Sequence, residues 1–256
     1  MICPRRRPLP LFLSLVILLA GCALPWARNA ATRPQPLPDA QQVFHLLMAG
    51  ANNNGDLDSL DPALIQFGSN YQVAQLIFPP LVTLDDRNQV APWGADRWET
   101  SADGLIWTFH IHPGMRWSDG VPIDASTYAY SLNRSLDPCT ASPVTYYLTG
   151  TSVELIKGSV AFSNVRYTSS YNPAHACPPG RLVAPDTLIG TSILVPDPLT
   201  LTLVLSHPAA YFPAALTYPT AWAQPRQLIE RYGATVDPFD TNIFHWTEHL
   251  TDGSGF

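Results

Sequence analysis

Residues 98–134 read WETSADGLIWTFHIHPGMRWSDGVPIDASTYAYSLNR, and this stretch decides the fold. Leu105, Trp107, Phe109 and Ile111 alternate with Ile106, Thr108 and His110. A two-residue period rich in aromatic and β-branched side chains predicts a strand over 105–111 with one face turned to a core. Asp103-Gly104 turns the chain into that strand. His112-Pro113-Gly114 ends it, because proline has no amide to give a ladder and glycine accepts positive φ. Met115 and Trp117 predict a second, short strand before the turn Ser118-Asp119-Gly120. Asp124 then stands at the N-cap of a helix over 125–134, and Thr127 takes the place of the acid that would complete a capping box.

This stretch resembles the signature region of the extracellular solute-binding proteins of family 5, the peptide, dipeptide and nickel receptors of ABC importers. Their pattern runs W-x-x-S-x-D-G-x-x-W/Y-T-F-x-L-R-x-x-x-x-W-S-D-G-x-P-V-T-A. Trp98, Ser101, Asp103, Gly104, Thr108, Phe109, Trp117, Ser118, Asp119, Gly120, Pro122 and Ala125 fall in place. His112 stands where the family usually carries arginine. The resemblance implies an α/β fold: a periplasmic-binding-protein-like (class II) N-terminal lobe plus a small subdomain, with the second lobe absent. On that scheme 41–78 is the first part of lobe I, 79–190 the small α/β subdomain with an insertion loop at 159–181, and 191–256 the continuation of lobe I.

Outward from the centre, further passages match the same family. Leu60-Asp61-Pro62 coincides with the L-D-P that opens its first lobe. Residues 81–95 follow the pattern L-x-x-x-D-x-x-G-x-x-x-P-x-L-A, with Gly94 in place of the leucine. Leu136-Asp137-Pro138-Cys139-Thr140-Ala141-Ser142-Pro143 resembles the D-P-x-T-A-S-P of the oligopeptide-binding branch. A hairpin is expected from Ile193 and Val195 through Asp197-Pro198-Leu199 to Leu201, Leu203 and Leu205. Helices are expected after His207-Pro208 and from Gln224 to Gly233. Residue spacing alone predicts a buried strand over 42–49, an Asx-rich turn over 52–58, and a helix between Ser69 and Leu81 with Val73, Leu76, Ile77 and Leu81 on one face, stopped by Pro79-Pro80.

The chain has 256 residues, 46% hydrophobic and 13% charged, with a formal net charge of −6. Its single lysine, Lys157, and the lack of a basic cluster past the extreme N-terminus leave no electrostatic footprint for nucleic acid. The 26 prolines suit a loop-rich exported protein. Arg5-Arg6-Arg7 followed by an apolar run over 9–20 reads as a signal peptide over 1–21, and Leu19-Ala20-Gly21-Cys22 matches a lipobox. Cys22 is thereby expected to carry the acyl chains of a lipoprotein on the outer side of a membrane, ahead of a flexible tether over 22–40. Cys3 would leave with the signal, and Cys139 and Cys177 either pair across a loop or remain free thiols.

No HExxH, CxxC, GxSxG or Walker pattern is present, so no catalytic residue, metal or cofactor is expected. His110 and His112 share a strand face and would make half a metal site, which keeps an exported metal-dependent hydrolase as an alternative. For binding, the resemblance offers Gln66, Phe67 and Gly68, where relatives lay peptide backbone along a strand edge. It also offers Val144 and Tyr146, with Tyr147 beyond, on the cleft wall, and Trp222, from 218–222, near the hinge. The function implied is that of a monomeric, lipid-anchored, non-catalytic receptor handing peptides to the permease subunits of an ABC importer. The other alternative is an inactive remnant or a surface interaction lipoprotein.

Overall fold

A computed structural model describes residues 59–66, 68–164 and 187–232. The predicted strand is there as β4 (Ile106–Ile111), and its alternation buries Trp107, Phe109 and Ile111. Ile106 faces outward and is exposed. Asp103 makes the turn before it: its carboxylate accepts from Ser101 Oγ at 2.5 Å and from Leu105 N at 3.1 Å, while Gly104 takes φ +72°. β4 pairs antiparallel with β3 (Ala95–Thr100) on one side and with β6 (Thr200–Val204) on the other. β5 (Ile193–Asp197) completes a sheet of order β3-β4-β6-β5. A separate hairpin joins β1 (Val82–Leu84) to β2 (Val90–Pro92). Asn88 supplies the positive φ in its turn, a conformation asparagine tolerates better than most residues.

The β5-β6 turn does more than reverse the chain. Pro198 O accepts from Ala125 N at 2.9 Å and Leu199 O accepts from Ile111 N at 2.8 Å, so the turn holds the end of β4 and the start of the main helix, α2, together. α2 (Ala125–Leu136) opens on a complete capping box. Asp124 Oδ1 accepts from Ser126 N and Thr127 N at 2.9 and 3.1 Å, and Thr127 Oγ1 accepts from Asp124 N at 3.2 Å. The threonine hydroxyl therefore does what the sequence pattern reserved for an acid. α2 packs on β5 and β6, and ten of its twelve residues are buried, which makes it the central pillar rather than a surface helix.

Several expectations are corrected. Residues on both sides of 190/191 share one sheet, β4 pairing directly with β6, and one buried cluster extends from Ile65 to Ile229. The helix expected over 69–81 is shorter, α1 (Gly68–Ala74), and it buries Ser69, Asn70 and Ala74. Leu76 and Ile77 stay exposed, because the helix has ended before their spacing can bring them inward. The short strand at Met115 and Trp117 reduces to a single bridge between Arg116 and Pro122. The insertion loop begins as a helix, α4 (Ser159–Ser163), after α3 (Tyr146–Thr149). α5 (Phe212–Ala215), a 3₁₀ turn (Pro219–Ala221) and α6 (Arg226–Tyr232) follow β6. The expected strand at 42–49 and turn at 52–58 lie outside the described residues, as do the signal peptide, the tether and most of the insertion loop.

Candidate functional site

A charged pair sits inside the core. Arg134, on α2, donates from Nη1 and Nη2 to Asp61 Oδ1 and Oδ2 at 2.8 and 2.6 Å, and Nη1 also donates to Gln224 Oε1 at 2.7 Å. Neither charged side chain is more than 2% exposed. Burial by itself would disfavour the guanidinium charge, but the Asp61 carboxylate and its hydrogen bonds outweigh it and raise the Arg134 pKa. Asp61 Oδ1 also accepts from Ala63 N at 3.0 Å, and Gln224 donates from its backbone N to Ser131 Oγ at 2.8 Å and from Nε2 to Ser135 Oγ at 3.2 Å. One helix thus grips two segments 73 and 90 residues away in sequence, the loop leading to α1 and the chain leading to α6.

That grip brings aromatic rings from three separate segments into one series. Trp222 lies 5.1 Å from Tyr71 of α1, and Tyr71 lies 6.3 Å from Tyr218, centroid to centroid. Tyr218 stacks on Tyr147 of α3 at 3.7 Å and 15°, and Tyr147 lies 4.6 Å from Tyr146 at 31°. The series runs from core to surface: Trp222 is 1% exposed and Tyr146 is 44% exposed. Trp222 is anchored by its indole N–H, which donates to Thr217 O at 3.0 Å. Beside α3, Thr145, Thr149, Glu154 and Asn164 line a polar hollow of about 770 Å³. Burial acts to raise the Glu154 pKa, but hydrogen bonds from Ser206 and from the backbone at Gly158 and Val160 prevail and lower it.

The tyrosines give the molecule a pH signature. Burial raises the phenol pKa of Tyr71, Tyr147 and Tyr218 in the series, pushes Tyr130 up to about 12, and raises fully buried Tyr128 further. Unfolded phenols ionise near 10.0. Stability is therefore fully present below that pH and falls as pH rises through and above it, because the unfolded chain releases protons that the folded chain still holds. Urea midpoints measured from pH 7 upward should stay level to about pH 9 and then drop as the unfolded chain ionises phenols that the folded chain keeps protonated. A midpoint that stays flat to pH 12 would contradict the burial of these rings.

Of the residues the sequence pointed to, Gln66, Gly68 and Tyr146 are exposed. A Cβ added at Gly68 would meet nothing, so no close backbone approach within the chain demands glycine there. Val144 and Trp222 are buried, at 4% and 1% exposure. Both are large apolar groups taken into the core, Trp222 with its only polar atom satisfied. Phe67, Cys22 and Cys177 lie outside the described residues. Cys139 is disulfide-bonded. Tyr71, and the stacking of Tyr147 on Tyr218, were not anticipated, because the rings come from segments whose meeting no local spacing announces. His110 and His112 each face a carboxylate, Glu99 at 3.3 Å and Asp96 at 2.8 Å, and no group of three metal-ligating side chains converges among the described residues.

Comparison with known proteins identifies the family. The family model described as bacterial extracellular solute-binding proteins, family 5 Middle, matches residues 89–246. The chain is 32% identical over 205 residues to the probable deoxycholate-binding periplasmic protein YgiS of Escherichia coli, covering 80% of this chain and 33% of that protein. It is 28% identical over 217 residues to the periplasmic oligopeptide-binding protein OppA of Salmonella typhimurium, covering 85% of this chain and 36% of the relative. Among solved structures, OppA of Burkholderia pseudomallei superposes with a TM-score of 0.54 at 26% identity, over 68% of this chain and 30% of that one. The chain spans about a third of the length of the curated relatives it matches. The α/β architecture and the matched residues agree: this protein belongs to the bacterial extracellular solute-binding proteins of family 5.

Proposed function

We propose that this chain forms the N-terminal part of a non-catalytic receptor that holds peptides outside the cytoplasmic membrane and passes them to the permease of an ABC importer. The observation that carries the reading is the convergence of α1, α3 and the 218–222 segment on one aromatic series ending at the surface. α3 and the 218–222 segment are regions that the family resemblance assigns to ligand contact, and α1 begins at Gly68, the last of the three residues it assigns in the preceding loop. The names of the oligopeptide-binding relatives supply the ligand class. On this reading Gln66, Phe67, Gly68 and Tyr146 meet the ligand, while Val144 and Trp222 support the wall from behind. Residues 1–21 act as the signal peptide, Cys22 bears the lipid, the tether over 22–40 lets a monomer reach the permease, and Cys139 pairs with Cys177.

The deciding experiment is a titration of the purified protein, followed by tryptophan fluorescence, with a random pentapeptide mixture and separately with deoxycholate. Saturable binding of peptides alone supports the proposal. Binding of deoxycholate alone would move the ligand class to the amphipathic steroid named in YgiS. Palmitate labelling that is lost on Cys22→Ala, together with release from the membrane fraction, checks the anchor.

A further inference from the structure

Gln224 is fully buried, and its side chain is bonded at both ends to α2. Oε1 accepts from Arg134 Nη1 at 2.7 Å, Nε2 donates to Ser135 Oγ at 3.2 Å, and the backbone N donates to Ser131 Oγ at 2.8 Å. Ser131, Arg134 and Ser135 stand at the helical spacing i, i+3 and i+4, so one face of α2 supplies all three partners. A guanidinium has donors only, which fixes the amide with its oxygen toward Arg134 and its nitrogen toward Ser135. The same Arg134 Nη1 donates to Asp61 Oδ1 at 2.8 Å, and Asp61 also accepts from Ala63 N, in the loop that carries Gln66. A carboxamide suits the position: a carboxylate would set a second acid beside Asp61, and a hydrocarbon would deprive Nη1 of this acceptor inside the core. α2 is itself held by the Asp124 capping box and by Pro198 O at its first residue. Gln224 thus ties the 218–222 segment, and Arg134 the 61–66 loop, to one fixed helix. Between Gln224 and Trp222, Ala223 N donates to Pro79 O at 3.0 Å, which seats the same stretch against the chain that follows α1. Wholly buried, Gln224 meets no ligand and acts only through where it holds the chain.

We propose that Gln224 is a positioning residue for ligand binding, locking the 218–222 segment in register with the 61–66 loop through their shared contact with Arg134. The proposal rests on the peptide reading above. It is tested on the full chain with Gln224→Met, which keeps the length of the side chain and removes its polar atoms while leaving both Asp61 contacts of Arg134 in place. Titrated with the random pentapeptide mixture where far-ultraviolet circular dichroism shows the variant folded, it should bind about tenfold more weakly than wild type, the weight of one hydrogen bond to a charged group. Its near-ultraviolet spectrum without ligand should also change, because Tyr218 and Trp222 lie in the released segment. Phe109→Leu, a core change in β4 at a residue with no surface, is the comparison: it should lower the urea midpoint and leave affinity and the tyrosine bands at wild-type level. Should Gln224→Met fail to fold, Gln224→Asn, one methylene shorter, is read against Phe109→Leu in the same way. Wild-type affinity in the folded Gln224 variant, or an equal loss of affinity in Phe109→Leu, overturns this inference and leaves the peptide reading intact. Failure of the wild type to bind any peptide overturns both.

Discussion

Replacing Arg134 with alanine is expected to lower the free energy of unfolding by about 3–5 kcal/mol, the cost of leaving a buried carboxylate without its cation. Asp61 is fully buried, so water cannot take over from the guanidinium without opening the core. Gln224 loses a 2.7 Å donor in the same substitution, which loosens the chain leading to α6. Urea unfolding should show the loss as a lower midpoint. Arg134→Lys should restore only part of it, since an ammonium cannot reproduce the two-pronged contact at 2.8 and 2.6 Å. Replacing both partners, Arg134→Met with Asp61→Leu, should recover a substantial share, because the desolvation of two charges disappears with them. If Arg134→Ala left the free energy of unfolding within about 1 kcal/mol of wild type, the buried Asp61–Arg134 geometry would be wrong.

The second large effect concerns Trp222. Truncation to alanine removes a side chain that is 1% exposed and is expected to cost about 3–5 kcal/mol. Trp222→Phe keeps most of the apolar volume and loses the indole donor to Thr217 O, for about 1–2 kcal/mol. The pair of variants distinguishes a core support from a ligand contact. A tryptophan acting only as a contact would change affinity and leave the urea midpoint in place. Here the midpoint should move first, and ligand affinity should follow only as far as Tyr71, 5.1 Å away, loses its backing.

The two substitutions also mark what could be read from the sequence. β4, its bordering turns, the β5-β6 hairpin and the Asp124 cap were legible because each depends on residues within a few positions of one another. The family was legible for a related reason, since its pattern is a chain of turns and aromatic positions at fixed local spacing. The Asp61–Arg134–Gln224 contact was not, because its members are brought together only by the finished fold. The aromatic series shares that limit: Tyr71, Tyr147 and Tyr218 look like unrelated tyrosines until α2 draws their segments inward. Periodicity misled at Leu76 and Ile77, where apolar spacing continued past the end of the helix that would have used it.

The place of β4 between β3 and β6 bears on how such a chain is made. Synthesis delivers β3 and β4 early, yet the hydroxyls of Thr108 and Thr202, which meet at 3.5 Å across β4 and β6, are 94 residues apart. Until the later strand emerges from the ribosome, the middle strand has an open margin. Closing so long a loop adds little to the entropic cost, but it delays the rate of assembly. A nascent chain of this design leaves its middle strand unpaired for longer than one built from neighbouring hairpins. It is also exposed to edge-to-edge aggregation for that same interval.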